Sequence, residues 1–314
     1  MQYIRYVVLS NRNMLTSIFR YSFVSKRQII AGKTKDRRRI NARCLIGIIS
    51  TVILALPLTA QKPTITATQK PIICLTYDDG LSTQLTTAIP QLDSAGFKAT
   101  FFLTAIQGSS QSDVIGQTPE IVSGWHNAAA KGHELANHTL FHPCPMKLGW
   151  DQALAIDNYT VKQIIDEIKT QNDLLSLLDP KRIKRAYAFP CNNDIAGGKD
   201  YSQILKQRKL VTYARTGGDS TSVIKDFAQL NTMKVPSWLV LTGTTANELI
   251  AFAEKVKKAN GLGIYQFHGI GGQIFAVSAD DHREFLAYLK ANENDFQILT
   301  FSEAMEQITG KRKK

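Results

Sequence analysis

From Pro71 onward, short runs of apolar, β-branched and aromatic residues alternate with longer stretches whose apolar positions recur every three to four residues. The short runs at 72–77, 99–104, 185–189, 211–214, 233–235, 264–267 and 297–300 predict strands, and the stretches at 82–95, 119–131, 157–178, 201–209, 246–259 and 279–292 predict helices. A repeated strand-then-helix order implies a parallel sheet covered by helices, and about seven such units imply a barrel or near-barrel. In such folds chemistry gathers where strands end. The Ser/Gly/Gln-rich segment 107–118 reads as a surface insertion near that face.

The first sixty residues follow another pattern. A basic stretch, 35–43, precedes an apolar run of about fifteen residues, 44–58, and Leu58-Thr59-Ala60 places a small residue before Gln61. That order is what a secretory signal peptide requires, and the run is short for a span of about twenty residues. The expectation is a secreted or periplasmic protein, with a membrane anchor through residues 44–58 as the rival reading. The domain plan is then residues 1–60 as N-terminal extension and signal peptide or anchor, 61–70 as a polar Thr-rich linker, and 71–310 as one catalytic domain.

Charge supports this division. Of the formal +12, most comes from the first sixty residues, where eleven Lys or Arg face the single Asp36, and more from the tail Lys311, Arg312, Lys313 and Lys314. The body between is close to neutral, which excludes a basic nucleic-acid groove. Three cysteines, Cys74, Cys144 and Cys191, remain after such processing.

Two clusters in the body can carry chemistry. Thr76-Tyr77-Asp78-Asp79-Gly80 ends the first apolar strand. Adjacent carboxylates at a strand end point in different directions, so one can hold a metal while the other takes a proton, although a capping turn needs the same residues. His138-Thr139-Leu140-Phe141-His142 offers two imidazoles four apart, a spacing that one helical turn would bring to one side. His133 is expected to point away and to be structural. Together Asp79, His138 and His142 make the three-ligand set of a catalytic zinc site with positions left open, and Asp78 would be the base.

These motifs resemble the polysaccharide deacetylase family, whose members share the NodB homology domain. The resemblance implies an α/β fold, a distorted (β/α)7 barrel in a single catalytic domain, and hydrolysis of acetyl groups on a polysaccharide. It implies Asp78 as catalytic base, with Asp79, His138 and His142 as ligands of a divalent metal, zinc by default. The apolar strand ending in a His matches Gly263-Ile264-Tyr265-Gln266-Phe267-His268 and implies His268 as general acid. The implied substrate is an N-acetylglucosamine-containing glycan, the reaction a hydrolysis of carbon–nitrogen bonds in linear amides. An O-acetyl esterase of xylan type and a non-catalytic carbohydrate-binding protein on the same barrel are the alternatives.

One motif departs from the family pattern. Where an Arg-x-Pro-Tyr run is usual, this chain reads Ala188-Phe189-Pro190-Cys191, so the Arg that orients the base is missing. Arg215, at the end of the next strand, is the candidate to replace it, and a salt bridge on the rim is the bland alternative. The oxyanion role falls to the backbone N–H of Cys191. If the loops converge as the resemblance implies, Cys144 and Cys191 form a disulfide, with two free thiols near the site as the alternative. Trp125, Trp150, Tyr187 and Trp238 are candidates for stacking on sugar rings.

Overall fold

The computed structural model describes residues 70–105 and 118–310. The expected signal or anchor segment, most of the expected linker and most of the expected 107–118 insertion lie outside the described residues. All the elements below belong to the unit Thr59–Lys314. Among the described residues no helix is long and apolar enough to cross a membrane.

The strands are β1 (Ile72–Asp79), β2 (Thr100–Leu103), β3 (Glu134–Asn137), β4 (Tyr187–Ala188), a small β5–β6 hairpin (Ile195–Ala196 and Lys199–Asp200), β7 (Ala214–Arg215), β8 (Trp238–Leu239), β9 (Leu262–Phe267) and β10 (Gln297–Ile298). The helices are α1 (Ile89–Ala95), α2 (Pro119–Ala130), α3 (Val161–Leu178), α4 (Ser202–Gln207), α5 (Ala246–Ala259), α6 (Ala279–Ala291) and α7 (Phe301–Ile308). Helix starts follow their side chains. Thr160, Thr245 and Thr300 each close a capping box with Gln163, Glu248 and Glu303.

The main sheet runs β7-β4-β3-β2-β1-β9-β8 with every pair parallel, and β10 adds to the foot of β1. The bridge Arg215–Val235 joins β7 to the segment that continues into β8, and this narrow seam turns the sheet into a distorted barrel. Because side chains alternate along a strand, the register fixes which residues point inward. Ile72 and Cys74 on β1, Phe102 on β2, Ala136 on β3, Ala186 and Ala188 at β4, Tyr213 and Val235 beside the seam, and Ile264 on β9 form one interior cluster. Extending the alternation brings Asp78, His138, Arg215, Ser237, Gln266 and His268 to the C-terminal mouth of that interior. Tyr77, Phe101, Leu135 and Tyr265 point the other way, into the larger core under the helices.

Three features escape the sequence pattern. β3 is only four residues long, Trp238–Leu239 rather than 233–235 makes the β8 pairing, and α7 is a further helix whose Phe301, Ala304, Met305 and Ile308 close the lower end of the barrel. The predicted first helix is also interrupted. Residues Gln84–Ala88 form a π-helical turn before Pro90, which has no N–H to continue the α-ladder. The wider turn puts the buried Gln84 amide on the carbonyls of Asp78 (2.5 Å) and His268 (3.1 Å), tying the ends of β1 and β9 together.

The closed end depends on a buried carboxylate. Glu134 accepts from Thr100 Oγ1 at 2.9 Å, from the Ser302 backbone N–H at 3.0 Å and from the Ser302 hydroxyl. It thus serves the first turn of α7, where a negative charge is favoured. We expect Glu134→Ala to cost about 2–4 kcal/mol in urea unfolding, because buried donors lose their acceptor. Chemistry at the opposite end of the barrel should be unaffected per folded molecule.

Candidate active site

At the mouth of the barrel β1 makes an abrupt turn. Asp79 has φ +80° and Gly80 φ +74°, and a Cβ on Gly80 would sit 3.2 Å from the Leu103 side chain. In a regular strand the two carboxylates would face opposite sides. The left-handed step at Asp79 instead sets both near one imidazole: His138 Nε2 is 3.9 Å from Asp78 Oδ2 and 3.6 Å from Asp79 Oδ1.

The two histidines converge, but not on a helical turn. His138 follows directly on β3, and the chain then folds back through a loop in which Thr139 (φ 68°) and His142 (φ 52°) are both left-handed. Short polar side chains hold that shape. Asn137 Oδ1 accepts the Thr139 N–H at 2.8 Å, and Thr139 Oγ1 accepts the His142 N–H at 3.0 Å. The result sets the two Nε2 atoms 3.2 Å apart and His142 Nε2 3.4 Å from Asp79 Oδ1.

The donor chemistry of this cluster fits a cation. His138 Nδ1 lies 2.8 Å from the Ala188 carbonyl, which can only accept, so Nδ1 carries the proton and Nε2 is a bare lone pair. His142 Nδ1 faces the Cys144 sulfur at 3.5 Å, which leaves its Nε2 bare in the same way. Asp79 Oδ1 is buried with no hydrogen-bond partner. Three electron-rich atoms thus face one another without a proton between them. Tetrahedral bonds of about 2.0–2.1 Å space zinc ligands roughly 3.3 Å apart, close to the separations here. Burial pushes both imidazoles down to about 4, so they stay neutral and able to bind a metal near pH 7.

Asp78 is fully buried, and Arg215 meets it. One terminal nitrogen of Arg215 lies 2.6 Å from Asp78 Oδ1 and 2.5 Å from Oδ2. The other donates to Ser237 Oγ at 3.0 Å, and the guanidinium lies over the Phe102 ring, 4.9 Å from its centroid. This is no rim pair, since Arg215 is itself fully buried. Ala188 and Arg215 are direct partners in the β4–β7 register. The guanidinium absent from position 188 is therefore supplied from the neighbouring strand, in the same layer, over a side chain small enough to leave it room. Burial by itself raises the Asp78 carboxyl, but Arg215, then His138 and His268, outweigh it and hold the group below the ordinary carboxylate range.

Gln266 belongs to this group and was not singled out from sequence. Its amide donates to Asp78 Oδ2 at 2.9 Å, and its oxygen accepts from Ser237 at 3.2 Å. The alternation along β9 was the available signal, because it puts Gln266 on the same face as His268. His268 directly follows the strand, nearly buried, its ring against Phe275 and its Nδ1 without a hydrogen-bond partner.

Cys144 and Cys191 form the expected disulfide, with Cα atoms 5.6 Å apart, and Cys74 is a buried free thiol. The bond joins the histidine loop to the turn after Pro190, where Cys191 (φ 50°) and Asn192 (φ 55°) are left-handed. His133 is structural, accepting the Ala99 N–H and meeting Asp93. Of the four aromatic candidates, Trp125, Tyr187 and Trp238 are core residues, each buried where its strand or helix packs. Only Trp150, half-buried and 5.9 Å from the His142 ring, stands beside the cluster.

A family model described as polysaccharide deacetylase matches residues 66–193. No sequence among curated proteins matches the chain. Among solved structures, a Mycobacterium smegmatis protein of the polysaccharide deacetylase type is 14% identical with a TM-score of 0.55, over 79% of this chain and 93% of that one. The Xyl-CE4 domain of a multidomain xylanase from the hindgut metagenome of Trinervitermes trinervoides is 18% identical with a TM-score of 0.50, over 76% and 91%. At these identities the likeness shows the fold. The matched segment contains both Asp and both His of the cluster; Arg215, Gln266 and His268 lie beyond it and join the site through the fold.

A pH dependence follows from the neutral histidines. An imidazole held at about 4 in the folded chain and near 6.5 in the unfolded one lets the unfolded chain bind more protons between those values. Its stabilisation is complete above 6.5 and is lost as pH falls towards 4. Asp78, whose folded value is depressed, adds stability above the carboxylate range that is lost only at lower pH. We expect the urea midpoint of the metal-free protein to fall between pH 6.5 and 4.5, with a shallower slope in His138→Gln. A flat midpoint over that interval would contradict the assigned protonation states.

Proposed function

We propose that this chain, whose residues 66–193 belong to the polysaccharide deacetylase family, is a metal-dependent hydrolase that removes acetyl groups from a polysaccharide, N-acetyl groups of an N-acetylglucosamine-containing glycan first. The observation that carries this reading is the Asp79–His138–His142 donor cluster beside an Asp78 fixed by Arg215. A divalent ion held by those three donors, zinc by default, would acidify a water and polarise the acyl carbonyl.

The chain's own groups supply the rest. Asp78 takes the proton of the attacking water. Its Oδ1 has Arg215 as partner, and Oδ2, the oxygen 3.9 Å from His138 Nε2, also receives Gln266. Arg215 and Gln266 keep the carboxylate ionised and aimed. The Cys191 backbone N–H donates to the developing oxyanion. His268, across the mouth just after β9, delivers a proton to the leaving nitrogen, and Trp150 offers an aromatic face to the sugar. We further place the protein outside the cytoplasm. The Cys144–Cys191 bond supports an oxidising compartment, as does the basic-then-apolar order of the first sixty residues.

Elemental analysis of the purified protein should find one divalent ion per chain, and His138→Ala with His142→Ala should abolish it. Retention of a full equivalent would mean the ion sits elsewhere. Acetate release from a panel of N- and O-acetylated glycans tests the activity, with release from O-acetyl xylan alone pointing to the esterase. Asp78→Asn should keep the ion while hydrolysis falls by roughly two to four powers of ten, the scale of a lost general base. Activity near wild type would assign proton abstraction to another group.

A further inference from the structure

Glu167 is a buried carboxylate that the proposed hydrolysis does not use. It lies on α3, 6% exposed, and is directed at the outside of the histidine loop rather than at the Asp/His cluster. Its Oε2 accepts the Phe141 N–H at 3.1 Å. The Leu140 N–H and the Tyr159 hydroxyl lie beside the same carboxylate and act on its charge. Consecutive N–H groups that converge in this way form a cup for an anion, and here a side chain of the protein fills it.

The cup exists because of the left-handed backbone on either side, at Thr139 and at His142. Asn137 and Thr139 hold the loop from within, and Thr104 Oγ1 holds the Leu140 carbonyl at 3.1 Å. At the loop's outer edge the grip on the N–H side comes from Glu167. Docking of α3 does not need this contact, because Asn137 already bonds the Ile168 carbonyl and Asn172, and Gln171 bonds the Leu103 carbonyl. A cavity of about 290 Å³ opens beside Glu167, lined in part by Leu140, Phe141, Tyr159 and Gln163, so water can reach the two N–H groups if the carboxylate is removed.

We infer that Glu167 is a positioning residue for the ion site: by holding the Phe141 N–H it fixes the loop conformation that aims His142 Nε2 at Asp79 and His138. The inference rests on the metal-dependent reading above. Outer contacts of this kind typically change metal affinity without touching the ion.

Zinc affinity of the full chain, measured by competition with a chromogenic chelator, tests it. Glu167→Ala should weaken zinc binding by roughly ten- to a hundredfold, and Glu167→Gln, which keeps an acceptor, should stay within about threefold of wild type. If Glu167→Ala does not fold, Glu167→Met keeps the side-chain volume, removes the acceptor and should show the same loss. A lowered unfolding midpoint with unchanged zinc affinity in either variant would overturn the inference and leave a packing role only. Failure of the wild-type chain to take up zinc would overturn the hydrolase reading and this inference with it.

Discussion

A carboxylate shut inside the mouth of a barrel has to be balanced, and the Asp78–Arg215 pair is where this structure meets that demand. Both side chains are fully buried, and breaking such a pair by removing one partner typically costs about 3–5 kcal/mol, because the other charge is left without compensation. The pair also reaches across the barrel. Asp78 is the penultimate residue of β1, Arg215 ends β7, and Ser237 and Gln266 extend the network to the segment before β8 and to β9. The seam between β7 and that segment is only a bridge long, and this network lies beside it. Closure of the ring and ionisation of Asp78 are therefore linked.

Local strain is concentrated around the site. Asp79, Thr139, His142, Cys191 and Asn192 all adopt positive φ without being glycine, at a cost of order 1–3 kcal/mol each when nothing compensates. Four of them have a neighbour that holds them: Gly80 continues the turn after Asp79, Asn137 and Thr139 close the histidine loop around Thr139 and His142, and the disulfide secures Cys191. The opposite end of the barrel is built differently. There Glu134, Thr100 and the capped start of α7 form a satisfied hydrogen-bond network with no left-handed residue. One end of the same strands is arranged for stability and the other for a specific set of facing groups.

The arrangement also explains how the site departs from the family pattern yet keeps a guanidinium on Asp78. A guanidinium need only reach Asp78 from inside the barrel. Position 188 and position 215 are register partners on adjacent strands, so moving the charge from one to the other displaces its origin by one strand spacing, within the reach of an Arg side chain. The small Ala188 leaves the volume and its carbonyl fixes the His138 tautomer, so this position still serves the site through its backbone.

Much of this was already written in local sequence. The strand–helix alternation gave the parallel α/β barrel, and the ordered Asp-Asp and His-x-x-x-His motifs named the cluster, because periodicity and short spacing are properties of neighbouring residues. The same local logic failed where backbone conformation or distant packing decides. The four-residue spacing of His138 and His142 points to a helical turn, but a turn with two left-handed residues joins them instead, held by side-chain hydrogen bonds that spacing does not reveal. Three of the four aromatic candidates went to the core, since an aromatic ring near a strand end carries no mark of which face it takes until the register is set. Gln266, Ser237 and the Glu167 contact became visible only with the strands and α3 in place. Sequence alone determined which chemical groups the protein owns and the strands that carry them; tertiary structure decided which groups meet, because buried charges and unpaired donors find their partners across residues as far apart as Asp78 and Arg215.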